Sequence, residues 1–169
     1  MAYKFVFLIV VFYFLAVFQG SFLPHFSVFG TTPNFLLILV CVLALIEGSG
    51  QYYGIVSALS AGFFLDFLGG AFFGSYIVGM LLVYYFIKKA LVFLVDFPND
   101  YYALYFLPVL ALSSIIFRVS AWFMSFVLSP LSAMRLSPGV FLAEVILNML
   151  VGIVIFWALR KLKPNNYGF

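Results

Sequence analysis

The sequence predicts an all-α integral membrane protein, a single domain over residues 1–169 with six transmembrane helices. Three observations predict it. The chain is 67% hydrophobic and only 8% charged, against about 45–50% apolar and about 25% charged in a soluble domain. Long apolar runs recur near the roughly 20-residue length that crosses a bilayer as a helix, with room for six. These runs lack the apolar–polar alternation of membrane barrel strands.

The first span runs from about Tyr3 to Phe22 and stops at Pro24-His25. Its apolar run, Phe5 to Phe18, has no small-residue cleavage pattern after it, so it reads as a retained span and not a signal peptide. A loop follows to about Thr32. Pro33-Asn34 opens the second span, Phe35 to about Ile46, with proline where an early helical turn tolerates it. Glu47-Gly48-Ser49-Gly50 reads as a tight turn. The third span runs from about Gln51 to Leu68, and Gly69-Gly70 break it. The fourth begins at Gly74 and ends at Lys88-Lys89. Asp96, Pro98, Asn99 and Asp100 form a turn cluster. The fifth span, Tyr101 to Leu128, holds Pro108, which predicts a kink or a delayed start. Pro130 and Arg135 fall in the next loop. Ser137-Pro138 reads as the cap and first turn of the sixth span. That span reaches about Leu159 and ends at Arg160-Lys161.

Lysine and arginine set the orientation. With the N-terminus inside, Lys4, Lys88, Lys89, Arg160, Lys161 and Lys163 are all cytoplasmic, and only Arg135 is outside. Both termini are therefore expected in the cytoplasm. The net charge of +3 comes from these flanking residues and is no nucleic-acid signal. The single cysteine, Cys41, excludes an internal disulfide or a cysteine metal cluster. It reads as a small core residue.

The stretch Gly54 to Gly74 organises the chain. Gly54, Ala58, Gly62, Asp66 and Gly70 recur at steps of four, so they share one helix face. Small residues let a neighbouring helix backbone approach, which is how helices associate in lipid. Ser75 and Gly79 repeat the pattern on the fourth span. Both stripes serve either packing within the bundle or a partner helix.

Asp66, Arg118 and Glu144 cannot be placed at span ends. At about 1.5 Å per residue, Asp66 lies roughly 22 Å from the inner surface and Arg118 roughly 25 Å. Glu144 lies roughly 9 Å below the outer surface. All three therefore fall in the outer third. Asn148 is one turn from Glu144, and Asn34 starts its span from the outer side. A polar cluster of Asp66, Arg118 and Glu144, with Asn34 and Asn148, is expected there. An arginine flanked by carboxylates keeps all three ionised, because guanidinium offers a fork of donors. The cluster reads either as a structural ion pair that fixes helix register or as a site open to the outside. Which acid pairs with Arg118 stays open.

The pattern Pro33-Asn34-Phe35-Leu36-Leu37, then Gly54, then Gly62-Phe63-Phe64-Leu65-Asp66, then Gly69-Gly70 and Gly74 resembles the MreD family, the rod shape-determining membrane proteins of bacteria. Length, span count and charge placement agree over essentially the whole chain. The resemblance implies a protein of the bacterial cytoplasmic (inner) membrane that acts in the cell-wall elongation machinery and in rod cell shape. It implies MreC, a single-span periplasmic protein, as direct partner. The MreB filament, the RodA glycosyltransferase and a class B penicillin-binding protein would belong to the wider complex. The family is also similar in fold to the substrate-binding S components of energy-coupling-factor vitamin transporters, six-helix proteins that bind ligand near the outer face.

Two functions compete. The first is a non-enzymatic scaffold without cofactor. It fits the absence of a phosphate loop, a metal-ligand pattern or a serine–histidine pair, since His25, the lone histidine, sits at the outer boundary. The second is a transport component that takes a small molecule or lipid from the outer side. An intramembrane enzyme lacks a positioned nucleophile. The 24 phenylalanines read as lipid-facing and inter-helix packing.

Overall fold

The computed structural model describes residues 2–47, 52–69, 72–94, 102–128 and 137–162, and all six expected helices lie within them. They are α1 (Ala2–Ser21), α2 (Phe35–Ile46), α3 (Tyr53–Gly69), α4 (Ser75–Leu94), α5 (Tyr102–Leu128) and α6 (Pro138–Leu162). The expected turns at Gly48-Ser49-Gly50 and Asp96–Asp100, the second glycine of the break (Gly70), and Pro130, Arg135 and Lys163 lie outside the described residues.

The ends of the helices follow local chemistry. After α1, Pro24 starts a short 3-10 turn, Leu23–Phe26. The chain then reverses in a two-residue hairpin, with Val28 N–H donating to Thr31 O and Thr31 N–H to Val28 O. Phe29 and Gly30 at its tip have φ of 53° and 76°. Positive φ at both central residues is the twist that fits a tight hairpin, and it is unusual for a phenylalanine. Pro108 neither delays nor ends α5, which starts at Tyr102 and carries the proline inside it. Lys88-Lys89 do not end α4, which continues to Leu94. Lysine is a good helix former, and paired charge does not stop a helix by itself.

α2 is the hub. Its Leu36, Leu37, Ile38, Val40, Cys41 and Ala44 are wholly buried, and it touches each of the other five helices. Around it, α1 packs on α3, α3 on α4, α4 on α5 and α5 on α6. α1 and α6 have no Cα atoms within 8 Å of each other. Along α2 the partly uncovered side chains Phe35, Leu39, Leu43 and Ile46 recur at steps of three or four, so they form one stripe.

The small-residue stripes serve this bundle. A Cβ on Gly62 would stand 2.5 Å from Ile77 Cα, so α3 and α4 meet backbone to backbone there. A Cβ on Gly54 would meet Tyr84 at 2.7 Å, and one on Gly79 would meet Ser120 Oγ at 2.9 Å. Ala58 is wholly buried and so is Ser75. Gly152 on α6 plays the same part against Leu110 of α5, a contact the sequence did not single out.

Among the described residues, three helical segments are by length and composition able to cross a membrane: Tyr3–Ser21, Phe106–Val127 and Pro138–Ala158. α2 and α3 are apolar but shorter, at 12 and 17 residues. At 1.5 Å per residue α2 is only about 18 Å long.

Candidate functional site

The two ends of α2 each meet a polar cluster, one beneath the hairpin and one beside Lys88. At the hairpin end, Asn34 caps α2. Its Oδ1 accepts from Leu37 N–H at 3.0 Å and from Gln19 Nε2 at 3.3 Å, while Leu36 N–H reaches Gln19 Oε1 at 3.4 Å. The Asn34 N–H donates to Asn148 Oδ1 at 2.7 Å. Asn148 Nδ2 donates to Ser114 Oγ at 3.1 Å, and that hydroxyl donates to Leu110 O at 2.9 Å. One chain of bonds therefore ties α1, α2, α6 and α5. A free helix start leaves backbone donors unsatisfied, and in an apolar setting only side chains can take them.

Asp66 does a related job for a different helix. Its Oδ1 accepts from Tyr76 N–H at 2.9 Å, and its Oδ2 from Gly74 N–H at 2.9 Å and Ile77 N–H at 3.1 Å. It thus caps the start of α4, where a carboxylate also meets the positive end of the helix dipole. Gly74 supplies the turn, at φ 101°.

The sequence left open which acid pairs with Arg118, and in the structure it is Glu144. Among the described residues no Arg118 nitrogen lies within 4.0 Å of Asp66; the Arg118 Nε stands 3.5 Å from Glu144 Oε2. Asp66 is held instead by three amides of one turn, those of Gly74, Tyr76 and Ile77. The five residues still share one neighbourhood. The Tyr76 N–H bonds Asp66, while the Tyr76 side chain lines a cavity with Arg118, Glu144 and Asn34. That cavity, of about 160 Å³, is also walled by Gln19, Thr31, Thr32, Leu65 and Phe117. Asn148 lies below it, wholly buried.

The opposite cluster was missed. Glu47 was expected in an ordinary turn, yet its side chain is only 1% exposed. Oε1 accepts from Gly54 N–H at 2.8 Å. Oε2 accepts from Tyr84 OH at 3.0 Å and pairs with Lys88 Nζ at 2.6 Å. Lys88 also reaches Glu47 O at 3.3 Å, near the free end of α2. Tyr84 and Lys88 are four residues apart on α4, a spacing that puts both on one face. That spacing, opposite an acid ending an apolar run, was the available signal. Gln19, the lone amide in the α1 run, was the signal at the other end.

Both clusters tie helix ends together through hydrogen bonds and ion pairs. His25 is exposed, its Nδ1 3.3 Å from Phe22 O. Cys41 is buried in the apolar core. Among the described residues, no three of His, Cys, Asp or Glu gather to bind a metal ion. No family model, no curated protein and no solved structure matches the chain.

Proposed function

We propose that the chain crosses the bacterial cytoplasmic membrane six times, with both termini inside, and serves the cell-wall elongation machinery as a non-enzymatic scaffold of the MreD kind. It binds MreC, and through MreC it meets the wall synthases that set rod shape. The resemblance in the sequence suggests the machinery. The observation that favours a scaffold is the seam between α1 and α6. Five helices surround α2 in an open chain, and the stripe Phe35-Leu39-Leu43-Ile46 stays partly uncovered. A single transmembrane helix at the usual spacing of about 8–10 Å would close that seam. The small-residue stripes are already filled by neighbours within the bundle, so the partner face lies elsewhere.

The transport reading requires room for a ligand. The cavity of about 160 Å³ falls below the roughly 300–1,000 Å³ of sites that enclose vitamin-sized or drug-sized ligands. Photo-crosslinking in cells separates the two. A crosslinker at Leu39 or Leu43 should capture MreC, while one at Tyr85, exposed on α4, should not. Capture of MreC at neither α2 position, or purification with an ATPase pair and a vitamin-sized ligand, overturns the proposal.

A further inference from the structure

We propose that the cavity beneath the hairpin binds a small zwitterion, an anionic phosphate or carboxylate carried a few ångströms from a protonated amine. The buried polar groups around it are not equally used. Asn34, Asp66 and Asn148 each make two or more hydrogen bonds. The two charged groups lining the cavity make none among the described residues. Arg118 approaches Glu144 only through Nε, at 3.5 Å, beyond the 2.7–3.2 Å of an N–H···O bond. Its terminal fork has no protein acceptor among the described residues. Glu144 Oε2 is enclosed and has no donor, although the residue is only 8% exposed. Thr31, Thr32 and Tyr76 line the same space.

This pattern selects a ligand class. A nearly buried carboxylate without a hydrogen bond is costly, and beside it the Arg118 side chain, 25% exposed, keeps its fork open to an acceptor. An anion alone would satisfy Arg118, whose fork fits planar or tetrahedral oxyanions, but would repel Glu144. An amine alone would do the reverse. A group carrying both charges completes both residues at once. The volume, equal to roughly five waters at liquid density, suits a head group and excludes a larger molecule. Two sources carry this chemistry: a phosphatidylethanolamine head group, or a free zwitterion such as phosphoethanolamine.

Native mass spectrometry of the full chain tests it. The detergent-purified protein is offered phosphatidylethanolamine and phosphatidylglycerol together, and phosphoethanolamine separately with melting temperature as readout. The expected result is retention of phosphatidylethanolamine about ten-fold over phosphatidylglycerol. Arg118→Gln and Glu144→Gln should each reduce retention about ten-fold, the effect of a lost charged hydrogen bond. Thr32→Val leaves the ion pair in place and should weaken retention about five-fold. A raised melting temperature with phosphoethanolamine, without a lipid adduct, identifies the free molecule as ligand. Equal retention of the two lipids, retention unchanged in all three variants, or neither adduct nor melting shift overturns the proposal. The readout is a mass or melting shift on the isolated chain, so it stands apart from capture of MreC.

Discussion

Asp66 of α3 holds the first turn of α4 through the Tyr76 N–H, 2.9 Å from its Oδ1. With Gly74 and Ile77 bonded to its other oxygen, this carboxylate is a helix cap supplied from outside the helix. Asp66→Ala should destabilise the protein by about 2–3 kcal/mol, since one buried and two part-buried amides lose their acceptor. Asp66→Asn keeps an acceptor and should cost about half as much. Reversible unfolding of each variant in mixed micelles measures the difference.

Charge reversal tells the two acids apart. Glu144→Arg with Arg118→Glu should recover much of the stability lost by either single change, because that pair meets in the structure. Asp66→Arg with Arg118→Asp should recover nothing, because an arginine at position 66 cannot accept from the α4 amides. The check is a double-mutant cycle on melting temperature. Rescue by the second exchange would contradict the capping role.

Gly62 and Gly139 offer a matched comparison. A methyl at Gly62 meets the backbone of Ile77, which cannot move aside, so Gly62→Ala should cost about 2–3 kcal/mol. A methyl at Gly139 has nothing within 4 Å, so Gly139→Ala should be neutral or stabilise by up to about 1 kcal/mol. Thermal unfolding of the two variants beside the parent is sufficient.

At the other end, Glu47→Ala should cost about 3 kcal/mol, since Gly54 N–H, Tyr84 OH and Lys88 all lose an enclosed partner. Lys88→Met should cost no more than about 1 kcal/mol, because the lysine is 30% exposed and solvent takes up part of its role. Equal losses would mean that the ion pair, not the cap and hydroxyl contacts, dominates.

The helices were legible because apolar runs and their punctuation act locally. Asn34 before Phe35 and Gly74 before Ser75 mark the starts of α2 and α4, and both starts hold in the structure. That Arg118 and Glu144 come together in one cluster was legible for the same reason, because a helix converts residue count into distance. Pairings were not. Glu144 and Asp66 are equivalent acids on paper, and only the arrangement of α4 against α3 gives one of them three amides. Glu47 looked like a turn residue because a sequence does not show that α4 returns past the end of α2 to bring Tyr84 and Lys88 to it. Pro108 predicts a kink or a delayed start, and the start is not delayed: α5 begins at Tyr102 and runs through the proline.

The bond from Asn34 to Asn148 spans 114 positions, and this bears on how the molecule matures. The amide that opens the second helix is completed by a side chain made 114 residues later. Until then a five-helix intermediate carries an unanswered donor at its centre. Truncation before α6 would therefore do more than remove a peripheral segment: it would leave the hub unfinished and the fragment open to proteolysis.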